Sequence, residues 1–386
     1  MIASEPVPTE DLIRVRRFLH EHPELSMLEY ETAAFVAAEL RALELDAVRT
    51  GVGRTGVMGT LVGGRPGPVT LLRADLDALP ILELGESTYR SKRDGVMHAC
   101  GHDGHVAILL AAARTLAERR AEVSGTLVFC FQPGEEGSAG NRLMIEDGAL
   151  ENPHVDRTFA LHLYTSLDVG KIGVRDGPFF ASSDRFRLAV RGKGGHGAMP
   201  DGAIDPVVAA AYLVTMLQTI VSREVAPKEP AVVTVGKFAA GTTFNVIPDE
   251  AELLGTVRTF DAQLRARVPE RMQTMIESLG VAFRVECDFE YLWSYPATVN
   301  DRGANDVVRR VGRATLGDEA VIDPHDVVMW GEDMSFMQEV RPGAYFIVGA
   351  RGGPGSAFPH HNARFDVDER ALEVGYRMML GLGLAG

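Results

Sequence analysis

The segment MHACGHDGH places His98, Cys100, His102 and His105 within residues 98–105, the densest set of metal-ligating side chains in the chain. A thiolate and imidazoles at this spacing hold a borderline-soft divalent metal. The structural alternative is a Gly-flanked loop whose histidines cap a helix start. In QPGEEG, Glu135 and Glu136 stand just past the apolar run TLVFCF, after Gln132, Pro133 and Gly134. Hydrolysis by an activated water needs an anionic ligand and a separate general base, and adjacent glutamates at a strand end can divide those roles; alone, the pair reads as a solvated loop. His162 stands in the apolar run FALHLY, where a single histidine is a hydrogen-bonded core residue before it is a ligand. His360 and His361 precede NARFDVDER and read as a loop-exposed pair. In RADLDALP, Asp75 and Asp77 can orient a ligand from behind, bind metal, or cap a helix.

These side chains need elements that bring them to one place. Residues 9–22 and 29–43 read as amphipathic helices, GPVTLL (67–72) and TLVFCF (126–131) as buried strands, and residues 104–120 as a helix between them. Strand, helix, strand of that length implies a parallel sheet, which RTFALHLY (157–164) continues. Ligands of such sheets gather at the C-terminal ends of the strands, just where the His/Cys segment and the glutamates fall. From about residue 183 the texture changes to FRLAVRG, a helix over 205–222, AVVTVGKF, AELLGTVRTF, a helix over 262–279 and FRVECDFEYL. This β-α-β-β-α-β order is the split βαβ of a ferredoxin-like sandwich. The α/β pattern returns with a helix at 304–315, the strand AYFIVG and a helix over 369–382. The expected architecture is α/β: a discontinuous, mostly parallel-sheet catalytic domain (1–182 and 297–386) with an inserted ferredoxin-like α+β domain (183–296).

Composition sets the outer bounds. With 386 residues, two domains are the starting expectation. A net charge of -14 argues against nucleic acid as partner. No apolar run approaches the ~20 residues that span a bilayer, and the N-terminus lacks a basic-then-apolar signal pattern, so a cytoplasmic location without membrane contact is expected. Three cysteines are too few and too scattered for a disulfide framework; Cys130 and Cys287, in apolar runs, read as core filler.

Taken in order, HEHPELSMLEYET, LLRADLDALP, MHACGHDGHVA, QPGEEG, ALHLY, GKGGHGAMPD, FNVIPDEAELLGTVRTF, GEDMS and HHNARFDVDE resemble the amidohydrolase branch of the M20 metallopeptidase family. That branch includes hippurate hydrolases, indoleacetyl-amino-acid hydrolases and N-acetyldiaminopimelate deacetylases. The resemblance covers about residues 10–380. It implies that Cys100, His102, Glu136, His162 and His361 hold two divalent metal ions, of Mn, Zn, Co or Ni, with Cys100 as the bridge. It implies Glu135 as general base, Asp77 as the aspartate behind the ligands with Asp75 as runner-up, and His196 as a small-domain histidine that stabilises the oxyanion in a neighbouring subunit. Asn245 and Arg258 resemble positions that meet the carboxylate end of the substrate. The expected activity is hydrolysis of N-acyl amino acids by a homodimer joined through the inserted domain. A dipeptidase or aminopeptidase on short free peptides is the runner-up, and a non-catalytic binding relative the rival from another class. Met334, where Phe is usual, and Asn362 and Ala363, where Ser or His and then Pro are commoner, depart from the family pattern. None of these removes a ligand; they bear on substrate preference.

Overall fold

The structure, a computed structural model, describes residues 6–386. Residues 1–5, the start of the N-terminal segment that lacks a signal pattern by sequence, lie outside the described residues. The chain divides into two compact units, Met1–Gly177 with Val299–Asp326 and Asp333–Gly386, and Pro178–Thr298 with Val327–Glu332.

The first unit is built on an eight-stranded sheet in the order Ala47–Val52, Gly56–Val62, Ser124–Gln132, Arg65–Asp75, Arg157–Asp168, Gly343–Arg351, Ile172–Gly173, Val321–Ile322. The strands Ser124–Gln132, Arg65–Asp75, Arg157–Asp168 and Gly343–Arg351 run parallel to one another, and most of their side chains are buried, apart from the first residues of Ser124–Gln132 and Arg65–Asp75 and the last residues of Arg157–Asp168. That burial explains why these segments read as unbroken apolar runs. The hairpin of Ala47–Val52 and Gly56–Val62 escapes such a reading, because its first strand is largely exposed and carries no apolar alternation. Helix His102–Glu118 joins two of the parallel strands and is buried along most of its length, packed against the helices Thr9–Glu21 and Arg370–Leu384.

Register aligns the site. Arg73 pairs with Cys130 on one side and Ala160 on the other. Asp75, Gln132 and His162, each two residues further on, therefore arrive level at the C-terminal end of the parallel strands. Helix His102–Glu118 begins two residues before the apolar pattern does, because Gly101 takes a left-handed conformation (φ +90°) that turns the chain straight into the helix. His102 is thus its first residue.

The second unit has a four-stranded sheet in the order Ala231–Ala240, Glu250–Thr259, Ser183–Arg191, Glu286–Tyr295, antiparallel throughout. With helices Pro206–Thr219 and Ala262–Phe283 it forms a ferredoxin-like sandwich. The helical stretch Pro206–Glu224 is long and apolar enough to cross a bilayer by composition alone. Its buried face, including Ala209, Ala210, Leu213 and Leu217, packs into the core of this unit. Val327–Glu332, in a stretch the sequence pattern assigns to the larger domain, joins this unit through hydrogen bonds between Val328 and the backbone of Phe179 and Ala181.

In the first unit, a buried ion network ties helix Thr9–Glu21 to the start of helix His102–Glu118. Arg16 Nε (2.9 Å) and His20 Nδ1 (2.8 Å) both donate to Asp103 Oδ2. Arg16 also reaches Asp366 and Glu369. Burial opposes charge on His20, but Asp103 outweighs it, helped by Glu83, and the imidazole pKa is raised from 6.5 to about 9. A histidine with a raised pKa stabilises the fold fully below its unfolded value and loses that contribution as pH rises through the folded value. Replacing His20 with Leu should therefore cost about 3 kcal/mol more near pH 6 than above pH ~9.5, read as the pH dependence of the stability difference from denaturant unfolding. A difference that does not vary with pH would refute the charged state of His20.

Candidate metal centre

Cys100 and His102 flank Gly101 at the helix start, and His162 comes from strand Arg157–Asp168. Each imidazole has one nitrogen committed to a backbone carbonyl. His102 Nδ1 donates to Asp77 O at 2.9 Å and His162 Nδ1 to Leu163 O at 2.8 Å. A carbonyl only accepts, so the Nδ1 protons are fixed and the Nε2 atoms face the site. His162 Nε2 lies 3.4 Å from Cys100 Sγ. His102 Nε2 is buried and makes no hydrogen bond.

Glu135 and Glu136 are placed by the backbone. Gly134 (φ +59°) and Gly137 (φ +86°) bracket them in left-handed conformations, so the segment wraps instead of continuing a regular helix. The wrap turns both glutamate amides onto one carboxylate: Glu135 N donates to Asp77 Oδ1 (3.0 Å) and Glu136 N to Asp77 Oδ2 (2.9 Å). Ser26 Oγ donates to the same carboxylate. Burial works against the charge of Asp77, yet these donors and His102 hold its carboxyl below the usual range. Glu29 steadies the turn from the other side, accepting from Gly134 N at 2.8 Å. His361 completes the group on a loop, with φ +64°. That conformation is uncommon for a residue with a side chain and costs of order 1 kcal/mol. Its Nε2 faces Glu136 Oε1 at 3.1 Å, and that oxygen has no aligned hydrogen-bond partner.

Donor atoms of Cys100, His102 and His162 lie within 4.8 Å of one another; so do those of Cys100, Glu136 and His361, and those of His102, Glu135 and Glu136. Cys100, His102 and Glu136 each belong to two of these three groups, so the groups merge into one cluster. The electrostatics point the same way. Burial, then the Glu136 and Glu135 carboxylates, push the Cys100 thiol well above its ordinary value. Burial disfavours charge on His102, but Asp75, Asp77 and Glu136 raise its pKa to about 10, while burial beside His105 and His360 keeps His162 neutral. A pocket that holds protons this tightly is short of positive charge. Orphaned buried donor atoms, a set of thiol, imidazole and carboxylate groups, and that charge deficit together fit divalent metal ions.

The model of peptidase family M20/M25/M40 matches residues 71–384. The chain belongs to this family. It is 40% identical over 367 residues to an N-acetylcysteine deacetylase of Bacillus subtilis, spanning 94% of this chain and 93% of that protein. It is 43% identical over 321 residues to an N-acyl-L-amino acid amidohydrolase of Geobacillus stearothermophilus, spanning 80% and 85%. The solved structure of the Bacillus subtilis YXEP protein, described as a dinuclear metal binding peptidase of the M20 family, superposes with a TM-score of 0.84 at 36% identity, covering 97% of each chain. As an M20 member the chain is a metal-binding hydrolase of C–N amide bonds.

Of the M20 site residues expected from sequence, Cys100, His102, Glu135, Glu136, His162, His361, Asp75 and Asp77 meet in the first unit. The carboxylate of Asp77 accepts from the amides of Glu135 and Glu136 as described. Asp75 has both oxygens engaged, Oδ1 by His105 Nδ1 at 2.6 Å and Oδ2 by Arg73 Nη1 at 2.8 Å. His196 and Asn245 lie side by side in the second unit, where Gly195–His196 pairs with Val246–Ile247 and Gly197 N donates to Asn245 O. His196 is exposed, and its Nδ1 accepts from Ala198 N at 3.1 Å; the neutral ring then carries its proton on Nε2. Arg258 is partly buried on strand Glu250–Thr259, where its Nη1 donates to Thr256 Oγ1 and, at 3.1 Å, to Val257 O.

One part of the centre was not foreseen. Arg73, Gln132, Asn141 and Asp333 form a buried network: Arg73 Nε and Asn141 Nδ2 both donate to Gln132 Oε1 at 2.8 Å, and Arg73 Nη2 (3.1 Å), Gln132 Nε2 (2.7 Å) and Asn141 N (3.0 Å) donate to Asp333. The available signal was Arg73 itself, a cation in the apolar run VTLLRAD, which demands buried anions.

Asp77→Asn tests the placement of the glutamates. An amide can accept through only one of its two terminal atoms, so one glutamate N–H loses its partner. Metal affinity should fall ~10–100-fold, read by metal content after dialysis against a graded chelator. Unchanged content would show that Asp77 does not organise the ligands.

Proposed function

We propose that this chain is an N-acyl amino acid amidohydrolase that cleaves the amide between an acyl group and the nitrogen of an amino acid. The observation that carries the reading is the split between neighbouring glutamates. Glu136 shares a group with Cys100 and His361 and Glu135 does not; in this reading Glu136 is the ligand and Glu135 the carboxylate available for proton transfer. The activities named for the deacetylase and amidohydrolase relatives support the substrate class.

Cys100, His102, Glu136, His162 and His361 would hold two divalent ions, whose chemistry when bound is to polarise the scissile carbonyl and make water acidic near neutral pH. Thiolate and imidazole donors suit Zn, Co or Ni, and the carboxylate admits Mn. Glu135 takes a proton from the attacking water at its carboxylate and delivers it to the leaving nitrogen, so the products are a carboxylate and a free amino acid. His196, protonated on Nε2, donates to the developing oxyanion, and Asn245 and Arg258 meet the carboxylate of the amino acid.

His196 acts from a second copy of the chain in this reading, with the second unit as the lid and dimer interface. Strand Ala231–Ala240 lies at a sheet edge, and Tyr212, Phe238 and Phe244 are exposed in the same unit. An unpaired edge and exposed aromatic side chains are features that a partner covers. All three cysteines are free, which suits a reducing, cytoplasmic location.

Glu135→Gln should lower turnover ~10²–10⁴-fold on a panel of N-acetyl, N-benzoyl and indoleacetyl amino acids, assayed after chelation and reloading with Mn, Zn, Co or Ni in turn, while metal content stays at the wild-type level. Dipeptides in the same panel decide the substrate class; faster cleavage of free dipeptides than of every acylated substrate would replace this reading. Mixing inactive Glu135→Gln and His196→Ala chains should restore part of the activity, because a mixed dimer contains one site with both residues intact. No recovery would place His196 in the site of its own chain.

A further inference from the structure

His105 shares the His/Cys-rich segment with the ligands, yet both its nitrogens are used elsewhere. Nε2 meets the amide of Leu163 at 3.0 Å and Nδ1 meets Asp75 Oδ1 at 2.6 Å. An amide N–H only donates, so Nε2 accepts and the ring proton sits on Nδ1. Asp75 accepts that proton on one oxygen and Arg73 Nη1 on the other. With every donor direction of His105 and both Asp75 oxygens spent, the proximity of Asp75, His102 and His105 is not a third cation site.

Leu163 is where this chain of bonds meets the metal centre. Pairing between strands Arg65–Asp75 and Arg157–Asp168 ends at Arg73 and Ala160, which leaves the next peptide groups on that edge without ladder partners. His105 takes the place of the missing strand on the N–H of Leu163. The carbonyl of Leu163 then accepts from His162 Nδ1 and from His360 Nε2, each at 2.8 Å. We propose that His105, held by Asp75 and Arg73, is a positioning residue that clamps the Leu163 residue and, through its carbonyl, fixes the tautomer and direction of the His162 ligand. The inference rests on the reading of His162 as a metal ligand. His105 touches neither metal nor substrate; it acts through the backbone.

The test is Co²⁺ titration of the full-length apo-protein, following both stoichiometry and the visible absorption of bound Co²⁺, in wild type and in the variants His105→Phe, His105→Gln and His162→Ala. Wild type should bind two Co²⁺. His105→Phe, of similar size but without an acceptor, should weaken one of the two sites ~10–100-fold and alter the absorption in the way His162→Ala does. His105→Gln, whose side-chain carbonyl can still accept from Leu163 N–H, should restore the wild-type spectrum. If His105→Phe is unfolded by circular dichroism, Asp75→Asn makes the same decision. It keeps the side-chain size, but with its amide oxygen accepting from Arg73 its NH2 group faces His105 and removes the acceptor that fixes the ring. Wild-type binding and absorption in His105→Phe or in a folded Asp75→Asn, or a Gln variant as impaired as Phe, overturns the relay. A wild type whose binding does not change in His162→Ala overturns the underlying ligand assignment instead, so the two failures are told apart.

Discussion

A buried imidazole can offer a lone pair in a chosen direction only if its other nitrogen is engaged by a group that cannot donate. The metal centre depends on this condition being met twice. Asp77 O holds Nδ1 of His102 and Leu163 O holds Nδ1 of His162. Asp77 lies just past strand Arg65–Asp75, and Leu163 lies beyond the last pairing of Arg157–Asp168 with that strand, so on this edge both main-chain acceptors are left over. Had the chain ended its pairing two residues later, those carbonyls would be consumed by neighbouring strands and the rings would be free to turn an N–H toward the metal.

A second constraint is charge. Asp75, Asp77, Glu135, Glu136 and the Cys100 thiol crowd one pocket, with Arg73 as the buried cation beside them. Concentrating like charges away from water is costly, and the protein meets part of that cost with oriented donors: the amides of Glu135 and Glu136, the hydroxyl of Ser26 and the guanidinium of Arg73. What remains is a deficit that protons or metal ions must fill. The site is thus designed by what it lacks, and the strained backbone at His361 belongs to the same economy of local instability accepted at a functional position.

Much of this was legible in the chain. Fully buried parallel strands announce themselves as apolar runs, and TLVFCF and RTFALHLY lie inside the observed strands. The alternation of the inserted unit likewise marked its strands. The candidate site was legible because the His/Cys-rich segment 98–105 and the adjacent Glu135 and Glu136 have few structural uses. Single residues were not. His162 looks like a core histidine from its neighbours, because what draws it into the candidate site is Cys100, in the loop before helix His102–Glu118, which no local window contains. Asp333 and Asn141 carry no local mark at all; they matter through Arg73 and Gln132 on other strands. His105 was visible as a histidine, but its partner is a main-chain amide, and a sequence does not record which amides are left without a ladder.

The first unit is assembled from three separate stretches of chain, and strand Gly343–Arg351 lies beside Arg157–Asp168, in the middle of the sheet. During synthesis, the early ligands emerge long before that strand and His361 exist. Until the final stretch has been made, the central sheet has an open edge beside Arg157–Asp168 and His361 is missing from the candidate site. Contacts so distant along the chain close slowly, so the growing polypeptide spends its most vulnerable interval with its best metal-binding residues incomplete. The candidate metal-binding set, which includes His361, is thus complete only after the last strand of the sheet has been made.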